Sequence, residues 1–299
     1  MLKRKFDKHL EEVLSTIKQI DIEERYDIYF SRFYGLYFAK MGKWLSLTPT
    51  HVSLLSLLLG VIGGGLLFFQ NSTEIVLIGG VLITLAGVLD SADGQLARMT
   101  GQSTELGRSI DGVIDNVVFL ACYVGGAVYF FPTYGWLIIV LAGISGYTHS
   151  YKTALYEFYK AEYLLLIGKS EAGNMPISSD ELKSTGDSFH NKILDGIYKD
   201  YIKKTLIYTT RTPEQRLKMR SLAKEGNNNF DSLYSYLNKK MLFWWAWLCG
   251  SNTHRNAIII FAFFGRFDLY LICSSVWTLA IIPLNYRQKR FDKKLLEES

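Results

Sequence analysis

The sequence predicts an all-α integral-membrane protein with six transmembrane helices, an N-terminal amphipathic helix at the membrane interface and a cytosolic helical insertion between spans four and five. Three observations support this fold class. Apolar residues gather in blocks, charged residues gather between the blocks, and many Tyr and Phe residues stand beside them. A soluble core would not require this segregation, which is typical of a multi-span membrane protein.

The N-terminal region, residues 1–48, predicts helices that lie on the membrane rather than cross it. Apolar residues recur at three- and four-residue intervals over residues 1–25, which indicates an amphipathic helix. Residues 26–44 combine dense aromatic residues with basic ones, a composition typical of helices in the interface plane.

The next region, residues 49–160, is expected to hold the first four spans. A spanning helix needs ~20 mostly apolar residues, and two glycines of the first span, Gly60 and Gly64, are expected to let helices pack closely. The four apolar stretches run from about His51 to Phe69, Ile75 to Asp90, Leu106 to Phe131 and Gly135 to Tyr151.

A polar segment at 161–240 is expected to form the cytosolic helical insertion. Within it, Thr212 and Gln215 have the spacing of a capping box, which predicts a helix start. The remaining region, 241–299, is expected to contain spans five and six and a basic tail. The fifth apolar stretch, Ala257 to Phe264, is short: its helix either begins earlier, in the run MLFWWAWLCG, or is partly shielded by its neighbours. The sixth stretch runs from Leu269 to Leu284.

The distribution of basic residues predicts the orientation. The links Asn71–Glu74 and Pro132–Gly135 contain no Lys or Arg, whereas the N-terminal region, the 94–108 link, the 152–255 segment and the C-terminal RQKRFDKK all do. Basic loops stay on the cytoplasmic side. Both termini and the 94–108 link are therefore expected to face the cytoplasm, at the inner membrane if the source is bacterial.

Four aspartates flank the link between spans two and three. Asp90 and Asp93 are three residues apart, and Asp111 and Asp115 are four apart, so each pair lies on one face of its helix. The two helices are expected to be antiparallel neighbours, which would bring both pairs to one membrane depth. Carboxylates in a membrane are costly, so this arrangement predicts a functional site rather than helix caps.

Divalent cations would relieve the repulsion within such a group. Carboxylate oxygens suit Mg²⁺ or Mn²⁺, and two ions can bind a diphosphate and stabilise an in-line phosphoryl transfer. Gly94 would let a ligand approach the backbone, while Arg98, one helical turn beyond, offers donors to phosphate.

The segment DSADGQLARMTGQSTELGRSIDGVID resembles the motif of the CDP-alcohol phosphotransferases, D-x2-D-G-x2-A-R-x8-G-x3-D-x3-D. The resemblance in layout covers residues 45–155 and, more loosely, 253–286. Every specified position of the motif is matched: Asp90, Asp93, Gly94, Ala97, Arg98, Gly107, Asp111 and Asp115.

The resemblance implies a homodimeric six-helix membrane domain whose site opens to the cytoplasm. It implies that Asp115 is the general base on the acceptor hydroxyl and that CMP leaves. Two Mg²⁺ or Mn²⁺ ions would be held by the four aspartates Asp90, Asp93, Asp111 and Asp115. The CDP part of the donor would contact Gly94, Ala97, Arg98 and Thr104. Thr50, which replaces the Asn of the family's Pro-Asn-x-x-Thr pattern, is a further candidate donor contact.

The substrates are less closely defined. CDP-diacylglycerol is the expected donor, and a CDP-linked soluble alcohol transferred to a lipid acceptor is the alternative. His149, Lys152 and Arg255 are candidate acceptor-binding cations, which would suit inositol phosphate or glycerol phosphate; they could equally be anchors at lipid headgroups. Membrane lipids and a second copy of the chain are the expected partners, and no nucleic acid is.

Two other kinds of protein use aspartates in membrane helices. An intramembrane prenyltransferase also binds a diphosphate through aspartates and magnesium, but Gly94, Ala97, Arg98 and Gly107, together with six crossings, argue against it. A cation transporter would need carboxylates along a path through the bilayer. The four aspartates instead lie near one membrane face.

Overall fold

The computed structural model describes residues 2–17, 23–102, 105–167, 176–177, 189–226 and 228–298. Every regular element in these ranges is helical, which confirms the all-α fold class. The α-helices are α1 Leu2–Ser15, α2 Arg32–Trp44, α3 Pro49–Leu66, α4 Thr73–Thr100, α5 Glu105–Tyr134, α6 Trp136–Leu166, α7 Phe189–Tyr208, α8 Pro213–Lys224, α9 Asn228–Cys249, α10 Ser251–Phe263, α11 Phe267–Trp277 and α12 Ile281–Glu298.

Four helical segments among the described residues are long and apolar enough to cross a membrane. They are Pro49–Phe69, Thr73–Thr100, Gly112–Tyr134 and Phe267–Glu298. These segments contain the stretches predicted as spans one, two and six and most of span three. The stretches predicted as spans four and five are also helical, in α6 and α10, and their crossing of a membrane stays a prediction.

The N-terminal helices differ in extent from the sequence-based expectation. The amphipathic helix expected over residues 1–25 ends at Ser15, and the Thr16 hydroxyl caps its end by donating to the Val13 carbonyl at 2.7 Å. The aromatic segment is not one regular helix, because a π-helical turn at Asp27–Ser31 precedes α2. Such turns place an extra residue in the helix and are frequent at functional sites.

Helix α3 packs between α4 and α5 through its glycines. A Cβ atom on Gly63 would lie 2.8 Å from the Gly79 carbonyl oxygen of α4. A Cβ on Gly64 would lie 2.7 Å from the Cys122 backbone nitrogen of α5, and one on Gly60 would collide with Val118. The close packing predicted for Gly60 and Gly64 is therefore confirmed, because only a hydrogen at these positions allows the observed backbone separations.

Helix α4 continues beyond the apolar run that predicted it. The apolar stretch ends at Asp90, but the helix extends to Thr100, so all the motif residues from Asp90 to Arg98 are helical. It ends at Gly101, whose φ of 69° is a left-handed conformation that glycine adopts without strain. The helical spacing on which the aspartate prediction depends is thus present in α4.

Hydrogen bonds inside the apolar interior connect helices α5, α10 and α11. The buried hydroxyls of Tyr123 and Tyr270 are 2.9 Å apart, and Nδ1 of the buried His254 is 3.0 Å from the Tyr270 hydroxyl. Buried polar groups must be hydrogen-bonded to be tolerated. This cluster fixes the position of α10, which also carries Arg255.

The described residues form two compact units. The first contains residues 2–17, 23–102, 105–148 and 251–276, and with them the described part of the motif; the second contains the described residues of 149–250 and 277–298. In the second unit, Thr212 and Gln215 make the predicted capping box at the start of α8. Helix α9 ends at Cys249 and α10 starts at Ser251. All of the run MLFWWAWLCG except its last residue, Gly250, therefore lies in α9, and the run does not lengthen the fifth stretch.

Two buried carboxylates and three arginines form a network inside the second unit. Arg211 donates to both oxygens of Asp292, at 3.0 and 2.9 Å. Glu162 accepts from Arg216 at 3.0 Å and from Arg220 at 2.9 Å. Burial raises the pKa of Glu162, but the three arginine charges outweigh burial, so its pKa lies below the ordinary value. The carboxylate is therefore charged at neutral pH.

Candidate active site

The first motif carboxylate with a defined environment is Asp93 on α4. It is buried, and the Ser53 hydroxyl of α3 donates to its Oδ2 at 2.5 Å. The next serine on the same helix, Ser56, donates instead to the Ala86 carbonyl at 2.8 Å. Ser53 therefore orients a candidate metal ligand, whereas Ser56 joins the two helix backbones.

Arg98 presents buried donors to the same end of α4. Its Nε and Nη2 atoms are buried and have no hydrogen-bond partner among the described residues. Gly94 lies beneath this side chain, since a Cβ at that position would be 3.5 Å from Nη1 of Arg98. Leaving buried guanidinium donors unpaired is costly. An anionic ligand such as a phosphate would satisfy them.

Asp115 on α5 is paired with a cation. Arg255 of α10 places Nη2 3.3 Å from Oδ1 of Asp115, and the Asp115 side chain keeps 29% of its surface exposed. Asp90, partly buried on α4, is also within electrostatic range of this guanidinium. The Arg255 charge thus acts on motif carboxylates of both helices.

The surroundings of Arg255 fit its guanidinium closely. The group lies directly against Gly87, where an added Cβ would collide with Nη1, and it stands 5.9 Å from the ring centre of Phe119. On the other side, Nη1 donates to Oδ1 of Asn252 at 3.2 Å. The amide of Asn252 in turn donates to Oδ1 of Asp27 at 2.8 Å.

An apolar groove runs along α4 in the first unit. Its volume is about 520 Å³. Its hydroxyl-bearing residue Thr84 donates to the Gly80 carbonyl at 2.8 Å, so the hydroxyl is satisfied within the helix. The groove is lined by Phe30, Tyr34, Phe38, Leu77, Gly80, Val81, Thr84, Leu85, Val88 and Ile259.

The remaining site residues predicted from sequence have different locations. Thr50 is exposed in the first turn of α3, and Ala97 is partly buried on α4. His149 and Lys152 are buried in the second compact unit, whereas Arg255 belongs to the first. Two predicted residues lie outside the described part of the chain: Thr104 is not among the described residues, and the side chain of Asp111, a residue of α5, is not described.

Sequence reasoning did not include Ser53, Asn252 or Asp27 among the site residues. The family's Pro-Asn-x-x-Thr pattern begins here at Pro49, and Ser53 stands at its Thr position, so that position was a usable signal. Asp27 lies 63 positions before the first motif aspartate, and nothing in its spacing connects it to the motif. Its connection appears only through the Asn252 hydrogen bond.

The donor set fits divalent cations in its chemistry. Among the described side chains, no three His, Cys, Asp or Glu residues converge closely enough to hold a metal ion. The described motif ligands are nevertheless carboxylates, the hard oxygen donors that Mg²⁺ and Mn²⁺ prefer. Asp115 also forms an ion pair with the Arg255 guanidinium, so its surroundings accept a positive charge.

Comparison with known proteins supports the interpretation of the motif. Residues 46–153 match the family model of CDP-alcohol phosphatidyltransferase. The chain is 30% identical over 117 residues to a bifunctional IPC transferase and DIPP synthase of Aquifex aeolicus, a match that covers 39% of this chain and 26% of that protein. It is 26% identical over 141 residues to an archaetidylinositol phosphate synthase of Pyrococcus horikoshii, a match that covers 45% of this chain and 69% of that protein.

A second bifunctional IPC transferase and DIPP synthase, from Rubrobacter xylanophilus, is 39% identical over 70 residues, covering 23% of this chain and 15% of that protein. The chain thus spans about a quarter or less of the length of the bifunctional relatives. The matched family segment contains every aspartate of the motif and the described helices α3 and α4 in full. Residues 46–153 thus form a domain that matches the CDP-alcohol phosphatidyltransferase family.

Proposed function

We propose that the protein transfers a substituted phosphoryl group from a CDP-alcohol to an alcohol acceptor and releases CMP. The observation that carries this proposal is Arg98. Its buried donors have no partner among the described residues, and it lies near Asp93 on the same helix and directly above Gly94. A guanidinium so placed suits the diphosphate of a CDP-linked donor.

The metal ligands of this proposal are Asp90, Asp93, Asp111 and Asp115, which would hold two Mg²⁺ or Mn²⁺ ions. Bound divalent ions supply charge neutralisation to the diphosphate and to the leaving CMP. The chain's own contribution is to orient the ligands, and the Ser53 hydrogen bond to Asp93 supports this role.

Asp115 is the proposed general base. Its carboxylate takes the proton of the acceptor hydroxyl, and the hydroxyl oxygen then attacks the phosphorus next to the donor's alcohol moiety. A new P–O bond forms, the P–O bond to CMP breaks, and CMP leaves with that electron pair. The partial exposure of Asp115 is consistent with access by an acceptor.

The CDP contacts of the proposal are Gly94, Ala97, Arg98, Thr104 and Thr50. Arg98 would donate to a phosphate, and Gly94 would allow the nucleotide to approach the helix. Thr50, exposed at the start of α3, is available to a ligand.

The donor is proposed to be a lipid, CDP-diacylglycerol. The apolar groove supports this assignment because it follows α4 from Leu77 to Val88, two residues before Asp90. At 1.5 Å per residue this is a path of about 16 Å beside the motif. An acyl chain in the groove would leave its headgroup beside the aspartates.

The acceptor is proposed to be inositol phosphate, with glycerol phosphate as the second candidate. The name of the Pyrococcus horikoshii relative, archaetidylinositol phosphate synthase, supports inositol phosphate. Arg255, beside Asp115, supplies a cation that suits an anionic acceptor. His149 and Lys152 remain further proposed acceptor contacts.

The proposed topology has six crossings, formed by α3, α4, α5, the first part of α6, α10, and α11 with α12. The absence of Lys and Arg from the links Asn71–Glu74 and Pro132–Gly135 supports it. The site, both termini and the 161–240 insertion would face the cytoplasm, and the membrane would be the inner one in a bacterium. A homodimer completes the proposal, and chemical cross-linking in membranes tests it.

The test is CMP release by the purified protein in detergent with Mg²⁺ and CDP-diacylglycerol. The acceptors to compare are inositol, inositol phosphate, glycerol phosphate and serine. We expect release that depends on inositol phosphate and stops in excess chelator. Release only with a CDP-linked soluble alcohol and a lipid acceptor would contradict the donor assignment, and full activity in chelator would contradict the metal site.

A further inference from the structure

We propose that Arg255 is a resident counter-ion of Asp115, which Asn252 and Asp27 hold in place and which an incoming divalent cation displaces. This inference rests on the metal-dependent function proposed above. It assigns a role to Asn252 and Asp27, two residues outside the motif, as positioning residues for the reaction.

The ion pair between Arg255 and Asp115 has the geometry of an exchangeable contact. A single distance of 3.3 Å joins Nη2 to Oδ1, and nearly a third of the Asp115 side chain is exposed. The Arg211–Asp292 pair of the second unit is different, because both of its side chains are buried and two bonds of 3.0 and 2.9 Å join them. Bidentate arginine–carboxylate pairs are stronger and more specific than pairs joined by a single contact.

The guanidinium nevertheless has a site of its own. It lies against Gly87, a position where any larger residue would collide with it, and it faces the ring of Phe119. Its Nη1 atom remains bonded to Asn252 without the help of Asp115. Losing the contact with Asp115 would therefore leave the side chain anchored.

Asn252 connects this anchor to the N-terminal segment. Its amide donates to Asp27 at 2.8 Å and to Glu24 at 3.4 Å, while its carbonyl oxygen accepts from Arg255. Asp27 is also within electrostatic range of the Arg255 charge. A carboxylate on that side compensates the guanidinium when Asp115 binds another cation.

Displacement follows from the balance of charge around Arg255. The carboxylates of Asp115, Asp90 and Asp27 all act on this one guanidinium. Because they outnumber it, this group of four side chains still attracts positive charge. A divalent ion brings more charge to Asp115 than the single contact with Arg255 does. The released guanidinium, still held by Asn252, would then be available to the anionic acceptor.

Mn²⁺ binding to the purified protein tests the proposal, measured by electron paramagnetic resonance without substrate. Arg255→Gln removes the competing charge, and we expect its Kd for Mn²⁺ to fall on the order of tenfold. Arg255→Lys, which keeps a cation, should stay closer to the wild type. Lys43→Gln removes an exposed charge of α2 and should leave the Kd unchanged.

Asn252→Ala provides a second variant that keeps the Arg255 charge but removes its anchor, and it should also tighten Mn²⁺ binding, by a smaller factor. Melting curves in chelator identify any variant that does not fold. If the wild type binds Mn²⁺ and folded Arg255→Gln binds it equally or more weakly, the counter-ion proposal is overturned, but the proposed metal site is not. Absence of Mn²⁺ binding by the wild type would overturn the metal site itself, and the proposal with it.

Discussion

The Ser53 hydroxyl donates a 2.5 Å hydrogen bond to Asp93 across the interface of α3 and α4. This bond fixes one orientation of a carboxylate that the proposed mechanism uses as a metal ligand. Helix α3 thus contributes to the site through a residue that the aspartate motif does not contain.

Ser53→Ala should weaken metal binding. Groups that orient a metal ligand typically contribute about 10- to 100-fold in metal affinity, and we expect a loss in this range for Mn²⁺. The matched control is Ser56→Ala, since Ser56 is equally buried on the same helix but donates to a backbone carbonyl. Equal Mn²⁺ affinities in the two variants would show that the Ser53 contact does not act on the metal site.

Arg98→Lys should impair binding of the CDP-linked donor. Lysine keeps the charge but lacks the planar fork that matches a phosphate. Hydrogen bonds to charged groups contribute about 1.5–3 kcal/mol, so KM for the donor should rise at least tenfold, with a smaller change in kcat. Steady-state CMP release at varied donor concentration measures both constants.

The control for this variant is Arg25→Lys, an exposed arginine that precedes the π-helical turn. Its kinetic constants should match the wild type. An unchanged KM for the donor in Arg98→Lys would contradict the role of Arg98 in donor binding, on which the proposed function depends most.

Gly64→Ala should destabilise the protein. The new Cβ would lie 2.7 Å from the Cys122 nitrogen, and a backbone atom cannot move aside as a flexible side chain can. Overpacking of this kind costs about 1–3 kcal/mol. At the adjacent Gly65, no described atom lies within 4 Å of the place that a Cβ would occupy. Gly65→Ala should therefore melt at or above the wild-type temperature in detergent, and equal melting of the two variants would contradict the packing described.

Glu162→Gln should reduce stability in a pH-dependent manner. Removing the charge leaves buried arginines without their carboxylate, which costs about 3–5 kcal/mol at neutral pH. The pKa of Glu162 is lowered in the folded state, so its contribution is complete above the unfolded value of about 4.3 and is lost as pH falls through the folded pKa. The difference in free energy of unfolding between variant and wild type should therefore become smaller below about pH 4.3.

Thermal melting at a series of pH values measures the stability difference between Glu162→Gln and the wild type. Glu297→Gln is the control, because Glu297 makes only an exposed pair with Lys293 at 3.7 Å. Such pairs contribute about 0–1 kcal/mol. A Glu162→Gln variant as stable at pH 7 as Glu297→Gln would contradict the buried network.

The sequence predicted those features that depend on neighbouring residues in one helix. The spacing of Asp90 and Asp93 required a helix, and α4 supplies it through Thr100. Gly60 and Gly64 indicated close packing because small residues have that use in most membrane helices. Motif matching likewise identified the family, since its eight positions lie within one continuous segment.

Features that depend on distant contacts could not be predicted in this way. Asp27 reaches the site through Asn252, 225 residues away in the chain. The helix end at Ser15 was also missed, because apolar residues continue the same periodicity beyond it. A hydrogen bond from the Thr16 hydroxyl to the Val13 carbonyl lies at that end.

The most direct test of the central claim compares Asp115→Asn with the wild type in CMP release from CDP-diacylglycerol. Asparagine is similar in shape but cannot accept the acceptor's proton. We predict that turnover is abolished while binding of the CDP-linked donor, measured by protection against heat in Mg²⁺, is largely preserved. Retained turnover in Asp115→Asn would contradict the assignment of this carboxylate as the base.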